Sequence, residues 1–324
     1  MKKKKDAALD YMLKLGIFPA KTPSGALEQL RTVMDPETLK EVLTAEETEG
    51  DPQAFYRVKN RTLDTALTVS GAFGGDVLRK ACGLIDASPE VFGPAASPEV
   101  FGPAAGAGGS GPGAAFRAAE AGDSRSGAAF RVAEAGCDCG IVSCFIAQRY
   151  PDAEVTGADL CAEGISAAEK LAEKLGLSNV RFVNGAADTL DASAFDVVFS
   201  LRTMHENCDV EEPEDAPSAG GPANAPVGAE AVPDPLRQYE EACFEALRPY
   251  AAGIATLLKP GGRFLSIERR GGSGSVDALG HAFERALEAA GLTCLPEMRR
   301  QLVCTEVGRE TVLEVRVFVK PPHA

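Results

Sequence analysis

No stretch of this sequence approaches the length of a membrane span without a charge, so a spanning helix is not expected. Positive charge is in short supply: 33 Lys and Arg stand against 47 Asp and Glu, a formal net charge of −14. A field of that sign repels nucleic acid and anionic membrane at long range, which disfavours both as partners unless a local basic patch overrides it. Histidine is scarce, with three in the chain. The nine cysteines are odd in number and scattered, which excludes a disulfide framework and points to a reducing, cytoplasmic setting. Cys137, Cys139 and Cys144 lie close together, but no histidine or fourth cysteine stands nearby at zinc spacing, so no metal is expected. Asp6, Asp10 and Lys14 interrupt the segment after the basic start, so a signal peptide is not expected either.

What is present suits one large α/β domain with an accessory segment: 324 residues, 45% hydrophobic. Residues 1–86 form a helical N-terminal segment without strand signals, whose apolar stripes need a packing surface. Ser24 is placed to cap a helix carrying Leu27, Leu30, Val33 and Met34. Asp35-Pro36 and Asp51-Pro52 each read as a cap followed by proline at the first helical position. Residues 87–126 open with ASPEVFGPA, repeated without change at 96–104, and continue as a Gly, Ala, Ser and Pro run. Such a run buries too little surface to offset its ordering entropy and reads as a linker born of tandem duplication.

From 127 to 324 strands and helices alternate, which implies a parallel, doubly wound sheet closed by a hairpin over 299–320. An insertion at 209–235, rich in Pro, Ala and acid, is expected to be disordered. In such a sheet ligands bind beyond the carboxyl ends of the strands. The first strand there ends in Glu134-Ala135-Gly136-Cys137-Asp138-Cys139-Gly140. A dinucleotide loop needs glycines at 138 and 141, and the chain has Asp and Ile there; a carboxylate at 138 would repel a pyrophosphate. An NAD(P)-dependent oxidoreductase is therefore the weaker alternative. A near-copy of the strand, GAAFRAAEAG at 113–122, is followed by no further glycine and no apolar helix, so Glu134 and not Glu120 is the working acid.

The loop with Glu134, Gly136 and Gly140, then GADL ending in Asp159, FDVVFS at 195–200 and LLKPGGRFLSIE at 257–268, taken in that order, resembles the class I S-adenosylmethionine-dependent methyltransferases. The resemblance spans 127–324 apart from the insertion. It implies a Rossmann-like, mostly parallel seven-stranded sheet, S-adenosylmethionine as cofactor, and methyl transfer to an acceptor. It places Glu134, Gly136, Asp138, Gly140 and Asp159 around the cofactor, with Asp159 on the ribose hydroxyls and Asp188 on the adenine side, although the family's usual acid position there is Ala186. Asp138 departs from the family's glycine; it either caps the following helix or meets the cofactor's amino group. After the fourth strand, His205 is either a base for the acceptor's proton or a structural residue at a helix start. Arg202, Arg269 and Arg270 either orient a small anionic acceptor or pair with the chain's own acids. A small-molecule acceptor is expected, and the N-terminal helices either cover the cleft or form a dimer contact. A non-catalytic protein that binds the cofactor or a partner through the same fold is the other alternative.

Overall fold

The computed structural model describes residues 6–45, 53–92, 129–213, 235–270 and 274–322. Five helices come first: α1 (Ala7–Leu15), α2 (Pro23–Val33), α3 (Pro36–Ala45), α4 (Ala54–Lys59) and α5 (Leu63–Asp86). Asp35 caps α3 as expected, its Oδ1 accepting from the amides of Glu37 and Thr38 at 3.0 Å. The cap of α2 is Thr22 and not Ser24: Thr22 Oγ1 accepts from the Gly25 amide at 3.1 Å, and Pro23 takes the first helical position. The pattern proline-after-cap holds for both helices, and at α2 it outranks the serine two residues on. Asp51-Pro52 lies outside the described residues, and α4 starts just after it.

The expected linker does not begin at 87. Pro89–Phe92 forms a short helix, α6, and Val91 and Phe92 are completely buried. The Phe92 ring meets Tyr150 and Phe199 at centroid distances of 6.3 and 6.2 Å. The first copy of the duplicated stretch therefore anchors the helical segment to the sheet. The second copy, the Gly-rich run and the upstream GAAFRAAEAG lie outside the described residues.

The alternating half follows the expected elements closely. β1 (Phe130–Ala135), α7 (Ile141–Arg149), β2 (Ala153–Asp159), α8 (Ala162–Leu175), β3 (Val180–Asn184) and β4 (Phe195–Leu201) are followed by α9 (Pro235–Leu257), β5 (Leu258–Arg270), α10 (Gly274–Ala289), β6 (Thr293–Cys294), β7 (Arg300–Glu306) and β8 (Arg309–Val319). Of the insertion, 214–234 lies outside the described residues. The sheet order is β3-β2-β1-β4-β5-β8-β6, with β7 also on β8. β1 to β5 run parallel, and β8 is antiparallel to β5. The seventh position across the sheet is shared by two segments in succession: β6 pairs with Val319 and Phe318, and β7 with Val315 back to Arg309. That makes eight strands in seven positions. Lys259–Gly262 is a bulge within β5, since Leu258 pairs with Phe195 but Arg263 with Val197.

Buried Phe199, Leu265, Val315 and Val317 face α7 and the N-terminal helices, while Phe195, Phe264 and Phe318 face α9 and α10. α5 packs on α1, α2, α7, α8 and β7, so the N-terminal helices close over the ends of β1 and β4. The Tyr11 hydroxyl donates to the Ile141 carbonyl at 2.8 Å. Among the described residues no helix is long and apolar enough to cross a membrane.

Candidate active site

Order reversal in the sheet falls between β1 and β4, and there the carboxyl ends of the strands open. Two cavities meet at this point. One of about 300 Å³ lies beyond β2 and β3 and is bordered by Asp159, Gly185, Asp188 and Tyr250. The other, about 510 Å³, lies beneath α4 and α5 and takes in Glu134, Asp138, Arg202, His205 and Arg269. Gly136, Asp159, Thr203 and Glu206 border both.

The loop after β1 has the backbone of a glycine-rich turn. Gly136, Asp138 and Gly140 have φ of 74°, 49° and 73°. A Cβ on Gly136 would lie 2.5 Å from Thr203 Cγ2, so only glycine lets the loop pass the β4 turn. Gly140 borders neither cavity. Its missing Cβ makes room for Ala168 and the Phe182 ring, at 2.7 and 2.8 Å, so its duty is helix packing.

Asp138 does not cap α7, whose N-cap is Gly140 with no side-chain bond. Its carboxylate turns toward α4, where Lys59 Nζ and Asn60 Nδ2 donate to it, the latter at 2.7 Å. Burial alone would lower the Lys59 pKa; the Asp138 carboxylate overrides this and holds it above the ordinary value. The Asp138 amide donates to Asp159 Oδ2 at 2.7 Å, and the Cys161 amide to Asp159 Oδ1 at 2.9 Å. Asp159 is thus fixed at the seam of the two cavities, its pKa raised by burial against the pull of these amides. Aspartate tolerates the left-handed backbone better than most residues, so a carboxylate replaces glycine here without reshaping the loop.

Glu134 is 2% exposed and accepts a hydrogen bond from Ser143 Oγ. Burial pushes its pKa up to about 8. Glu206 accepts from the Tyr56 hydroxyl of α4. Asp188 is exposed in a 3-10 turn bordering the smaller cavity.

The arginines divide. Arg202 Nη1 donates to Glu306 Oε1 at 2.5 Å and Arg269 Nη2 to Glu306 Oε2 at 3.3 Å, and all three border the larger cavity. Arg270 does not join them. Alternation along β5 sends it to the other face, onto Glu314, with Asp277 at 4.0 Å. His205 opens onto the larger cavity, its pKa pushed down to about 4 by burial and by Arg202 and Arg269.

Sequence reasoning missed the contribution of the helical segment: Tyr56, Lys59 and Asn60 of α4 and its end, and Phe73 of α5. The signal for Lys59 was Asp138 itself, since a carboxylate in place of a loop glycine calls for a counter-charge. Glu306 ends β7, inside the hairpin expected over 299–320, and nothing local marks it as a site residue. Its neighbour Gly308, with φ 83°, brings that turn against the Lys21 carbonyl and so to the cavity's rim.

Residues 132–218 match a family described as methyltransferase domain. Over these residues the chain is similar to methyltransferase domains, and its sheet has the mostly parallel, Rossmann-like order. No curated protein matches it. Solved structures with a similar fold include TrmN from Thermus thermophilus, at 20% identity and TM-score 0.38, covering 59% of this chain and 44% of that one. Another is the N-methyltransferase NodS from Bradyrhizobium japonicum WM9, in complex with S-adenosylhomocysteine, at 15% identity and TM-score 0.39, covering 60% and 80%. A third is magnesium protoporphyrin IX methyltransferase (ChlM) from Synechocystis PCC 6803 with bound SAM, at 13% identity and TM-score 0.45, covering 89% and 98%. This chain spans less than half of the TrmN chain.

Proposed function

We propose that the protein is a cytoplasmic methyltransferase that moves the methyl group of S-adenosylmethionine to a small anionic metabolite. One observation carries the reading: two cavities of ligand size meet at a fixed carboxylate, Asp159, beside the glycine loop. The residues fit the cofactor. Asp159 and Glu206 bring acid to the seam, which suits a sulfonium cation and disfavours a pyrophosphate. Asp159 would accept from the ribose hydroxyls, and Gly185–Asp188, which line the same smaller cavity, would border the adenine. When bound, the cofactor supplies an electrophilic methyl carbon.

The chain's own residues then do three things. α4 and α5 line one side of the larger cavity, and a cleft narrowed in that way favours a small molecule over a macromolecule. Arg202 and Arg269 attract an anion and orient it. His205 lines the same cavity with its pKa lowered, so its neutral imidazole would take up the proton an acceptor gives up. All nine cysteines are free thiols, which suits a reducing compartment.

The test is thermal. A ligand at about 100 times its Kd that binds only the folded state stabilises it by ~2.7 kcal/mol. S-adenosylmethionine or S-adenosylhomocysteine should raise the Tm and NAD should not, and Asp159→Ala should abolish most of the rise. A shift with NAD alone would overturn the reading.

A further inference from the structure

Beyond the cofactor seam, the larger cavity has two unlike walls. One is the guanidinium pair of Arg202 and Arg269, which share the single carboxylate of Glu306. The other is apolar, formed by Phe55, Phe73, Leu78 and Leu201. Phe73 is 36% exposed although it sits midway along a helix packed on several sides. Open aromatic surface facing a cavity is a binding surface for an apolar body.

The charge of the polar wall is what selects. Two guanidiniums and one carboxylate leave one positive charge unmatched. Lys59 adds nothing, because Asp138 already matches it. A monoanion brings this wall to neutrality. A dianion would leave it negative, in a cavity that Asp159 and Glu206 also border. Glu306 cannot readily withdraw. The neighbouring Thr305 amide donates to Asp76 Oδ2 of α5 at 2.9 Å, and a Cβ on Gly308 would lie 2.6 Å from the Lys21 carbonyl oxygen. The geometry of the pair is already that of a carboxylate gripped between two guanidiniums, and Arg269, half exposed, has donors to spare.

We propose that the larger cavity takes an acceptor carrying one carboxylate on an apolar, ring-sized body, and that Glu306 is the residue that limits the anion to a single charge. The proposal rests on the methyltransferase reading for its cofactor, but binding of the anion can be measured without it.

The experiment titrates three probes, 3-phenylpropionate, 3-phenylpropanol and phenyl phosphate, by calorimetry. Each is titrated with and without S-adenosylhomocysteine. The wild-type chain should bind the carboxylate more tightly than the alcohol by on the order of tenfold to a hundredfold, the range for a charge-assisted hydrogen bond. It should bind the carboxylate more tightly than the phosphate. Glu306→Gln should reverse that last order, and Phe73→Ala should weaken the carboxylate and the alcohol alike. Equal binding of alcohol and carboxylate, preference for phosphate in the wild type, an unchanged order in a folded Glu306→Gln, or no saturable binding of any probe would overturn the proposal. Should Glu306→Gln not fold, the wild-type order and the Phe73→Ala result decide it. Failure of S-adenosylhomocysteine to bind would instead count against the methyltransferase reading, whatever the probes do.

Discussion

Replacing Lys59 with methionine should destabilise the protein, and removing Asp138 as well should restore most of the loss. The Lys59 side chain is 9% exposed and that of Asp138 28%. Without the ammonium, Asp138 keeps Asn60 Nδ2 and the weak thiol donor of Cys139, while its own amide holds the Asp159 carboxylate close by. Two carboxylates would then face one another with no cation between them. Removing one partner of a fully buried pair costs ~3–5 kcal/mol. Asp138 keeps some contact with solvent, so roughly 2–3 kcal/mol is expected for Lys59→Met. In Lys59→Met/Asp138→Gly the uncompensated charge is gone, and glycine suits φ 49° better than aspartate, so the double variant should lie within about 1 kcal/mol of the wild type. At 2–4 °C per kcal/mol the single variant should melt roughly 4–12 °C lower. Thermal unfolding of wild type, both single variants and the double variant gives the coupling directly. A double variant that has lost the sum of the two single losses would refute the pairing as the tie between α4 and the glycine loop.

Three further outcomes can be checked separately. With a pKa near 4, His205 is unprotonated throughout the neutral range, so kcat/KM should show no limb near pH 6.5; such a limb, abolished in His205→Gln, would contradict the site geometry. Burial pushes Glu268 up to about 8 while the amides of Thr203 and Met204 donate to it, so the folded state holds a proton that the unfolded chain releases near pH 4.5. Stability should therefore fall from pH 5 to 8 more steeply in the wild type than in Glu268→Gln, as followed by denaturant midpoints; equal slopes would refute the assignment. Phe92→Ala should cost about 3–5 kcal/mol in denaturant titrations, the loss of a fully buried ring; a loss under about 1 kcal/mol would refute its role as the anchor of the helical segment.

The parallel half of the fold was legible because its signals are local. FDVVFSL is apolar throughout, as a strand buried on both faces must be, and β4 spans those residues without adjustment. α8 ends at Gly176 with φ 67°, a left-handed stop that the sequence announces. β6 escaped notice because two residues, Thr293 and Cys294, carry no periodicity; their pairing depends on where β8 passes. The site was legible where a strand end fixes a residue, as at Asp159, and illegible where distant segments meet. Nothing near Glu306 in the chain says that a turn 104 residues beyond Arg202 will return to it.

The duplicated stretch shows the same limit from the other side. ASPEVFGPA occurs twice without change, so every local property of the first copy, propensity and hydropathy alike, belongs equally to the second. A reading by composition must treat both as linker or both as structure. What places the first copy is attachment. Ala87 follows α5 directly, its amide bonding back to Gly83 and Leu84 and that of Ser88 to Ile85, so the chain arrives at Ser88 already aimed at the sheet. The Ser88 carbonyl then accepts from the amides of Val91 and Phe92, and the ring drops between Tyr150 and Phe199. The first copy becomes core because a preceding helix delivers it to the slot. The same logic governs Asp138: a residue that departs from its loop's usual chemistry takes its meaning from the helix that reaches it.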